Sequence, residues 1–177
     1  GARHHRSWEA GPGRHARALH HFEWRGHADR GYTTRPGGGA LDSAARRKYD
    51  LPDSYVLYLG GFHPRKNARN LLAAWTWAAG PIGENYPLVI AGKLPRAGER
   101  YFEDLPGYAA QLDIADTVRF IGAIDETDKP SVYRGAACFV YPSRYEGFGL
   151  PPLEAMACGV PVVTTAFSSI PEVVGDA

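Results

Sequence analysis

The strongest constraint on the fold is a repeated alternation, from residue 41 onward, between short apolar runs and amphipathic stretches. The apolar runs predict five strands, at 55–60, 87–92, 117–122, 137–141 and 161–165. The stretches between and after them predict helices at 67–80, 99–114, 129–136, 151–158 and from 170 onward. Strands that are apolar throughout are typical of a parallel sheet covered on both faces. The sequence therefore predicts an α/β fold, a Rossmann-like doubly wound parallel sheet.

Residues 1–40 have a different composition. They hold seven arginines, six of the seven histidines, only three acids and few aliphatic side chains. Such a stretch cannot easily bury enough apolar area to order itself, so we expect a flexible basic leader followed by a Rossmann-like domain at 41–177. A basic contact surface for a phosphate-rich partner is the alternative. Because the chain stops at Ala177, just after a helical start, we expect a further strand and helix beyond it, as in a piece of a larger protein.

The bulk composition excludes several classes of protein. With 44% hydrophobic and 22% charged residues and a net charge of +1, the chain has no overall field that would select nucleic acid or an anionic membrane. No apolar run approaches the roughly 18 residues of a membrane helix. Cys138 and Cys158 form no CxxC pattern and predict buried free thiols in a reducing compartment. We expect a cytoplasmic protein; the alternative is a protein attached peripherally to the inner face of the membrane.

The first candidate site is the stretch GGFHPRKN at 60–67, which follows the first predicted strand. Gly60 and Gly61 form a turn, and Arg65 and Lys66 precede a helix, whose N-terminus attracts anions. Arginine can also hold a phosphate through two parallel hydrogen bonds. The stretch matches neither GxxxxGK[ST] nor GxGxxG, so it predicts phosphate binding without specifying a known loop. A solvated basic turn is the alternative, more so for Arg65 than for Lys66.

The second candidate site is SRYEGFGLPPLEAMACG at 143–159, where Glu146 and Glu154 flank a glycine-containing turn. Gly147 and Gly149 allow the backbone to turn N–H groups outward, which suits phosphate or sugar oxygens. The carboxylates repel phosphate but can accept hydrogen bonds from a vicinal diol. Pro152 at the first helical position would put Glu154 at the third, where a simple helix-start carboxylate is the alternative interpretation. Donors for an anion beside acceptors for diols indicate a nucleotide joined to a sugar.

These residues resemble a known family. The segment EGFGLPPLE at 146–154 is similar to the E-x7-E motif of the GT4 family of retaining glycosyltransferases. The segments YVLYLGGFHPRKNARNLL, VRFIGAI, AACFVYPSRYEGFGLPPLEAMACGVPVV and SSIPEVVGDA resemble that family in the same order, over residues 51–177. The RKN variant resembles bacterial mannosyltransferases of polysaccharide assembly.

The resemblance implies the C-terminal half of a GT-B fold, with a nucleoside-diphosphate sugar in a cleft, no cofactor and no metal. By this analogy Lys66 and Arg65 hold the diphosphate, and Glu146 faces the donor sugar. We place these three as catalytic and expect Glu154 to hold the ribose. Other donor contacts would come from the turn after the first strand, the segment near the base, and the Glu146 loop. These are Gly60, Gly61, Phe120, Ile121, Gly122, Ser143, Gly147, Phe148, Gly149 and Leu150.

The sequence departs from the family at two points. Gly61 stands where many relatives have an arginine, and residues 1–40 do not resemble the N-terminal domain that binds the acceptor. We therefore expect a hexosyltransferase domain that binds donor but transfers poorly alone. The expected partners are GDP-mannose or a UDP-sugar, a glycan or lipid-linked acceptor, and an acceptor domain, but no nucleic acid. A non-catalytic nucleotide-sugar-binding module is the alternative. An NAD(P) oxidoreductase is a third candidate, disfavoured because GxGxxG is absent.

Overall fold

A computed structural model describes residues 39–95 and 103–175 of the chain. Its core is a five-stranded sheet in which every neighbouring pair is parallel and the strands run in the order β3-β2-β1-β4-β5. The strands are β1 (Tyr55–Leu59), β2 (Leu88–Ala91), β3 (Val118–Gly122), β4 (Ala136–Tyr141) and β5 (Val162–Thr164). The predicted parallel α/β fold is confirmed.

In the described part of the chain, one helix precedes these strands, four connect them and one follows them. They are α1 (Ala40–Lys48), α2 (Ala68–Ile82), α3 (Leu105–Gln111), α4 (Lys129–Arg134), α5 (Leu150–Ala157) and α6 (Ile170–Val174). Two 3₁₀ turns, Pro64–Lys66 and Ala115–Thr117, precede α2 and β3 respectively. Among the described residues, none of the helices has both the length and the hydropathy that crossing a bilayer requires.

Alternate residues of β1 point to opposite faces of the sheet and pack into two separate cores. Tyr55, Leu57 and Leu59 belong to the core that also includes residues of α4, α5 and α6. Val56 and Tyr58 belong to the core that includes residues of α2 and α3. Both faces of the central strand are thus buried against helices, which explains why its sequence is apolar throughout.

Glycines allow the carboxyl ends of β1, β2 and β3 to lie close together at one edge of the sheet. The N–H of Gly60 donates to the carbonyl of Ala91 at 3.1 Å, and the N–H of Gly92 donates to the carbonyl of Gly122 at 2.7 Å. A Cβ on Gly92, where φ is +151°, would lie 2.1 Å from the carbonyl oxygen of Gly60. Only glycine allows this close approach, which places the turns after neighbouring strands side by side.

Several predicted helix ends differ from the structure, and α3 ends at Gln111 rather than at residue 114. Helix α2 ends at Ile82, just past the predicted end near Gly80 and Pro81, and Pro81 lies inside it. Gly80 has no Cβ to clash with the ring of Pro81, which removes part of the penalty for proline in a helix, and the N–H of Gly83 closes the last turn by bonding to the carbonyl of Ala79 at 2.9 Å. Helix α4 ends at Arg134, and Ala136 is already a strand residue because it pairs with Tyr55 of β1.

Three other sequence-based predictions concern the two cysteines, the leader at 1–40 and the helix at 99–114. Cys158 is buried as expected, but Cys138 is partly exposed. The predicted leader at 1–40 lies outside the described residues except for its last two positions, and the predicted helix at 99–114 lies outside them up to residue 102.

Candidate active site

The two cations lie in the short connection between β1 and α2. His63 precedes the 3₁₀ turn Pro64–Lys66 in an extended conformation, and its side chain accepts a hydrogen bond from the N–H of Arg65 at 3.3 Å. Asn67 ends the turn in the left-handed region, at φ 62°, before α2 begins. Lys66 emerges with only 14% of its side chain exposed, whereas 42% of the Arg65 side chain is exposed.

Glu146, from the connection after β4, meets both cations. The Nζ of Lys66 lies 2.6 Å from its Oε1, and the Nη1 of Arg65 lies 3.2 Å from its Oε2. The hydroxyl of Ser143 also donates to Oε1. The N–H of Arg144 bonds to the carbonyl of Arg65 at 2.8 Å, which ties the two connections together through their backbones. The structure thus brings together Arg65, Lys66, Ser143 and Glu146, which are separated by up to 81 residues in the sequence.

These contacts keep Glu146 ionised although the residue is only 8% exposed. Burial raises the pKa of its carboxyl, but hydrogen bonds from Lys66, Ser143 and Tyr141 and the charge of Lys66 outweigh burial and lower the pKa to about 2. One carboxylate beside two cations leaves an excess of one positive charge. The cluster can therefore attract an anion while its carboxylate remains available to accept hydrogen bonds.

The connection between β5 and α6 braces the backbone of Glu146. The hydroxyls of Ser168 and Ser169 donate to the carbonyl oxygen of Glu146 at 2.8 and 3.1 Å. The hydroxyl of Thr165 donates to the carbonyl of Ser143. Ser168 adopts a left-handed conformation, at φ 57°, which is uncommon for a residue other than glycine. The position of Glu146 is therefore fixed by two neighbouring connections.

The glycine-containing turn leads directly into α5. Gly149 has φ +93°, and a Cβ there would lie 3.0 Å from the Cδ1 of Ile170. Helix α5 begins at Leu150, and because Pro151 and Pro152 follow it, the first three helical positions offer one N–H group, that of Leu150. The preceding residues Gly147 and Phe148 are exposed beside it.

The expected helical position of Glu154 is wrong. Since α5 begins at Leu150 rather than at Pro152, Glu154 is the fifth helical residue and lies outside the first turn. The helix dipole acts mainly within that turn, so it does not account for this carboxylate. Glu154 is 6% exposed and accepts a hydrogen bond from the hydroxyl of Tyr133 at 3.0 Å.

The remaining predicted donor contacts lie along the same edge of the sheet. Gly60 and Gly61 open the turn that carries the cations. Phe120, Ile121 and Gly122 end β3, which lies two strands from β1 and hence about 10 Å away. The cation cluster and the β3 segment therefore occupy separate parts of one edge.

Sequence reasoning missed Tyr141 and the two serines that brace Glu146. Tyr141 ends β4, is fully buried, and its hydroxyl accepts a hydrogen bond from the Nζ of Lys66 at 2.9 Å. Tyr141 was missed because it lies in an apolar run. A tyrosine at the carboxyl end of a parallel strand could nevertheless have indicated a site residue, since ligands bind beyond that end. In residues 39–95 and 103–175, no group of three or more His, Cys, Asp or Glu side chains is arranged to hold a metal ion.

Comparison with known proteins identifies the family. The model of the family described as glycosyl transferases group 1 matches residues 43–177. The chain belongs to this family. Group 1 glycosyl transferases include one relative named O-antigen chain mannosyltransferase B, from Escherichia coli, which is 45% identical over 136 residues. That alignment covers 74% of this chain but 34% of the relative, so the chain spans about a third of the relative's length.

Solved structures of glycosyltransferases have the same fold. Sucrose-phosphate synthase from Thermosynechococcus elongatus superimposes with a TM-score of 0.61 at 31% identity, over 76% of this chain and 35% of that chain. The C-terminal domain of the group 1 family protein LpcC from Francisella tularensis superimposes with a TM-score of 0.65 at 25% identity, over 81% of this chain and 73% of that domain. The sheet described above is thus a Rossmann-like domain of the GT-B type.

Proposed function

We propose that this chain binds a nucleoside-diphosphate sugar at the carboxyl edge of β1 and β4. In the proposed reaction, a hexose passes to a glycan or lipid-linked acceptor with retention of anomeric configuration. The observation that carries the proposal is the contact of Lys66 and Arg65 with the buried carboxylate of Glu146, beside the glycine turn at the start of α5.

The charges of this cluster suit the departure of a diphosphate. As the bond between the sugar and the diphosphate breaks, negative charge accumulates on the phosphate oxygens, and fixed cations stabilise that charge. In this proposal Lys66 and Arg65 supply the positive charge, and no metal ion is needed. Glu146, with its pKa near 2, stays anionic and accepts hydrogen bonds from sugar hydroxyls, while its neighbours Ser168 and Ser169 hold its backbone in place.

Glu154 has a separate role in the proposal. Its carboxylate is buried, and the residue lies on α5 rather than in the loop, eight positions after Glu146 in the sequence. Its two oxygens can accept hydrogen bonds from both hydroxyls of a ribose, and Tyr133 already orients one of them. The segment from Phe120 to Gly122 would lie near the base.

The name of the relative in Escherichia coli, a mannosyltransferase, supports mannose as the sugar, and we propose GDP-mannose as the donor. A UDP-sugar is the alternative. Because the chain spans about a third of that relative, we expect donor binding by this chain and slow transfer unless an acceptor-binding domain is supplied.

A thermal-shift panel of GDP-, UDP- and ADP-sugars tests the proposal. A ligand at a hundred times its dissociation constant should stabilise the fold by about 2.7 kcal/mol, which is easily measured. The control is the Lys66→Ala/Arg65→Ala double variant, which should remain folded and show a smaller shift. EDTA should leave the shift unchanged. A folded wild-type domain that responds to none of the three sugar nucleotides would contradict the proposal.

A transfer assay separates the enzyme from a non-catalytic module. Radiolabelled GDP-mannose is incubated with the chain, with and without an acceptor domain taken from the relative in Escherichia coli. Labelled product that needs the added domain supports an enzyme. Donor binding without any transfer in either mixture supports the non-catalytic alternative.

A further inference from the structure

Two charged residues of the candidate site, Lys66 and Glu154, are each hydrogen-bonded to a buried tyrosine, and the two tyrosines lie on either side of one phenylalanine. Tyr133 donates to Glu154 at 3.0 Å, and its ring meets that of Phe139 edge to face with centroids 5.3 Å apart. On the other side, the ring of Phe139 stacks on that of Tyr141 with centroids 5.8 Å apart. All three aromatic residues are fully buried in the core cluster that contains β1 and β4.

The hydroxyl of Tyr141 contacts the cation of the Lys66–Glu146 pair. It accepts a hydrogen bond from the Nζ of Lys66 at 2.9 Å, and the same Nζ lies 2.6 Å from the Oε1 of Glu146. The same Nζ lies 5.3 Å from the centre of the tyrosine ring, within the range of a cation–π contact. One phenol therefore holds Lys66 through both its oxygen and its ring face, and Lys66 in turn pairs with Glu146.

We propose that Tyr141, Phe139 and Tyr133 form a rigid aromatic unit that positions the diphosphate-binding and ribose-binding ends of the site relative to each other. The inference rests on the proposed function and adds two positioning residues to it, Tyr141 at the Lys66 end and Tyr133 at the Glu154 end.

The physical reason is the flexibility of the groups that contact the ligand. A lysine side chain loses considerable rotamer freedom when it is held in one geometry, and this cost weakens binding unless the protein has fixed the side chain beforehand. When a phosphate draws Lys66 away from Glu146, the phenol oxygen of Tyr141 still holds the Nζ, and Glu146 keeps the hydrogen bond from Ser143. Side chains in a close-packed core keep their average positions, so the spacing between Lys66 and Glu154 stays constant.

Removing each hydroxyl alone gives a crossed test. Tyr141→Phe and Tyr133→Phe each delete one oxygen and leave the ring. Tyr55→Phe is the matched control, because Tyr55 is equally buried in the same cluster and its hydroxyl bonds to the carbonyl of Val132, at the amino end of β1. Urea unfolding should show similar small losses of stability in the three variants.

Calorimetric titration with GDP, GMP and 2′-deoxy-GDP then measures two preferences for each variant; the uridine set replaces these if the thermal-shift panel selects a UDP-sugar. Tyr141→Phe should lower the preference for GDP over GMP by roughly three- to tenfold and leave the preference for GDP over 2′-deoxy-GDP unchanged. Tyr133→Phe should do the reverse. Tyr55→Phe should preserve both preferences.

A second measurement checks that Tyr141 acts through Lys66. In a double-mutant cycle, Tyr141→Phe should have little further effect on GDP affinity once Lys66 is alanine. Wild type that binds none of the three nucleotides would overturn the proposed function and this inference with it. Two results would overturn the inference alone, provided that wild type binds. In the first, both tyrosine variants change both preferences equally, or change neither. In the second, the effects of Tyr141→Phe and Lys66→Ala in the cycle are additive.

Discussion

The Nζ of Lys66 lies 2.6 Å from the Oε1 of Glu146, although 80 residues separate them in the sequence. Lys66 comes from the turn after β1 and Glu146 from the loop after β4, and these two strands are neighbours in the sheet. The pair is therefore a direct product of the strand order, which sets the ends of β1 and β4 side by side. It also determines how the domain should respond to pH and to substitution.

Stability should fall as the Glu146 carboxyl is protonated. Its pKa is about 2 in the folded protein, below its ordinary value of 4.5. The pair therefore contributes stability that is fully present above pH 4.5 and is lost as the pH falls toward 2, on the order of 2 kcal/mol after allowance for solvent access. Urea unfolding between pH 7 and pH 2.5 measures this loss.

Glu146→Gln should show a shallower decline of stability over the same pH range. Glu172→Gln, which changes an exposed carboxyl on α6, is the control and should follow wild type. If Glu146→Gln and wild type lose stability in parallel, protonation of Glu146 is not a source of the acid sensitivity.

Lys66→Ala should weaken binding of GDP or UDP, whichever binds wild type, by about 1.5–3 kcal/mol. This is the range for a hydrogen bond to a charged group. Arg65→Ala should cost less, because 42% of that side chain is exposed, against 14% for Lys66. Isothermal titration calorimetry measures both.

Arg46→Ala is the control for these two variants. Its side chain is 42% exposed, like that of Arg65, but it pairs with Asp53 just before β1, at the opposite end of that strand. Nucleotide affinity should be unchanged. Unaltered affinity in Lys66→Ala would remove this lysine from the binding site.

The sequence predicted the strands and helices and the clustering of site residues at the carboxyl ends of the strands. It did not predict the start of α5 or the contacts of individual side chains. Apolar runs that end at Gly60 and Gly122 marked strands correctly because burial on both faces leaves few polar residues in them. The start of α5 was misplaced, since the left-handed turn at Gly149, rather than the second proline, determines it. Tyr141 was missed because its role depends on a contact 75 residues away, which no local pattern records.

The two glycines of the Glu146 loop should respond differently to alanine. Gly149 has φ +93°, and an added Cβ would lie 3.0 Å from the buried Cδ1 of Ile170. Gly149→Ala should therefore destabilise the domain by about 1–2 kcal/mol, because an L residue is strained in that conformation and the contact is tight. At Gly147 an added Cβ meets nothing within 4 Å, so the matched variant Gly147→Ala should change stability by less than about 0.5 kcal/mol. Equal unfolding midpoints in urea for the two variants would contradict this assignment.

Two tryptophans of α2, two residues apart, should differ most in their contribution to stability. Trp75 is 5% exposed, lies in the core with α3, and its Nε1 donates to the Oγ1 of Thr117 at 3.1 Å, whereas Trp77 is 86% exposed. Trp75→Ala should lower the free energy of unfolding by about 3–5 kcal/mol, through the cavity and the loss of buried area. Trp77→Ala should change it by less than about 0.5 kcal/mol and serves as the control. Urea unfolding followed by far-ultraviolet circular dichroism, which does not depend on either indole, compares the two. A large loss in Trp77→Ala would mean that its ring is covered in solution.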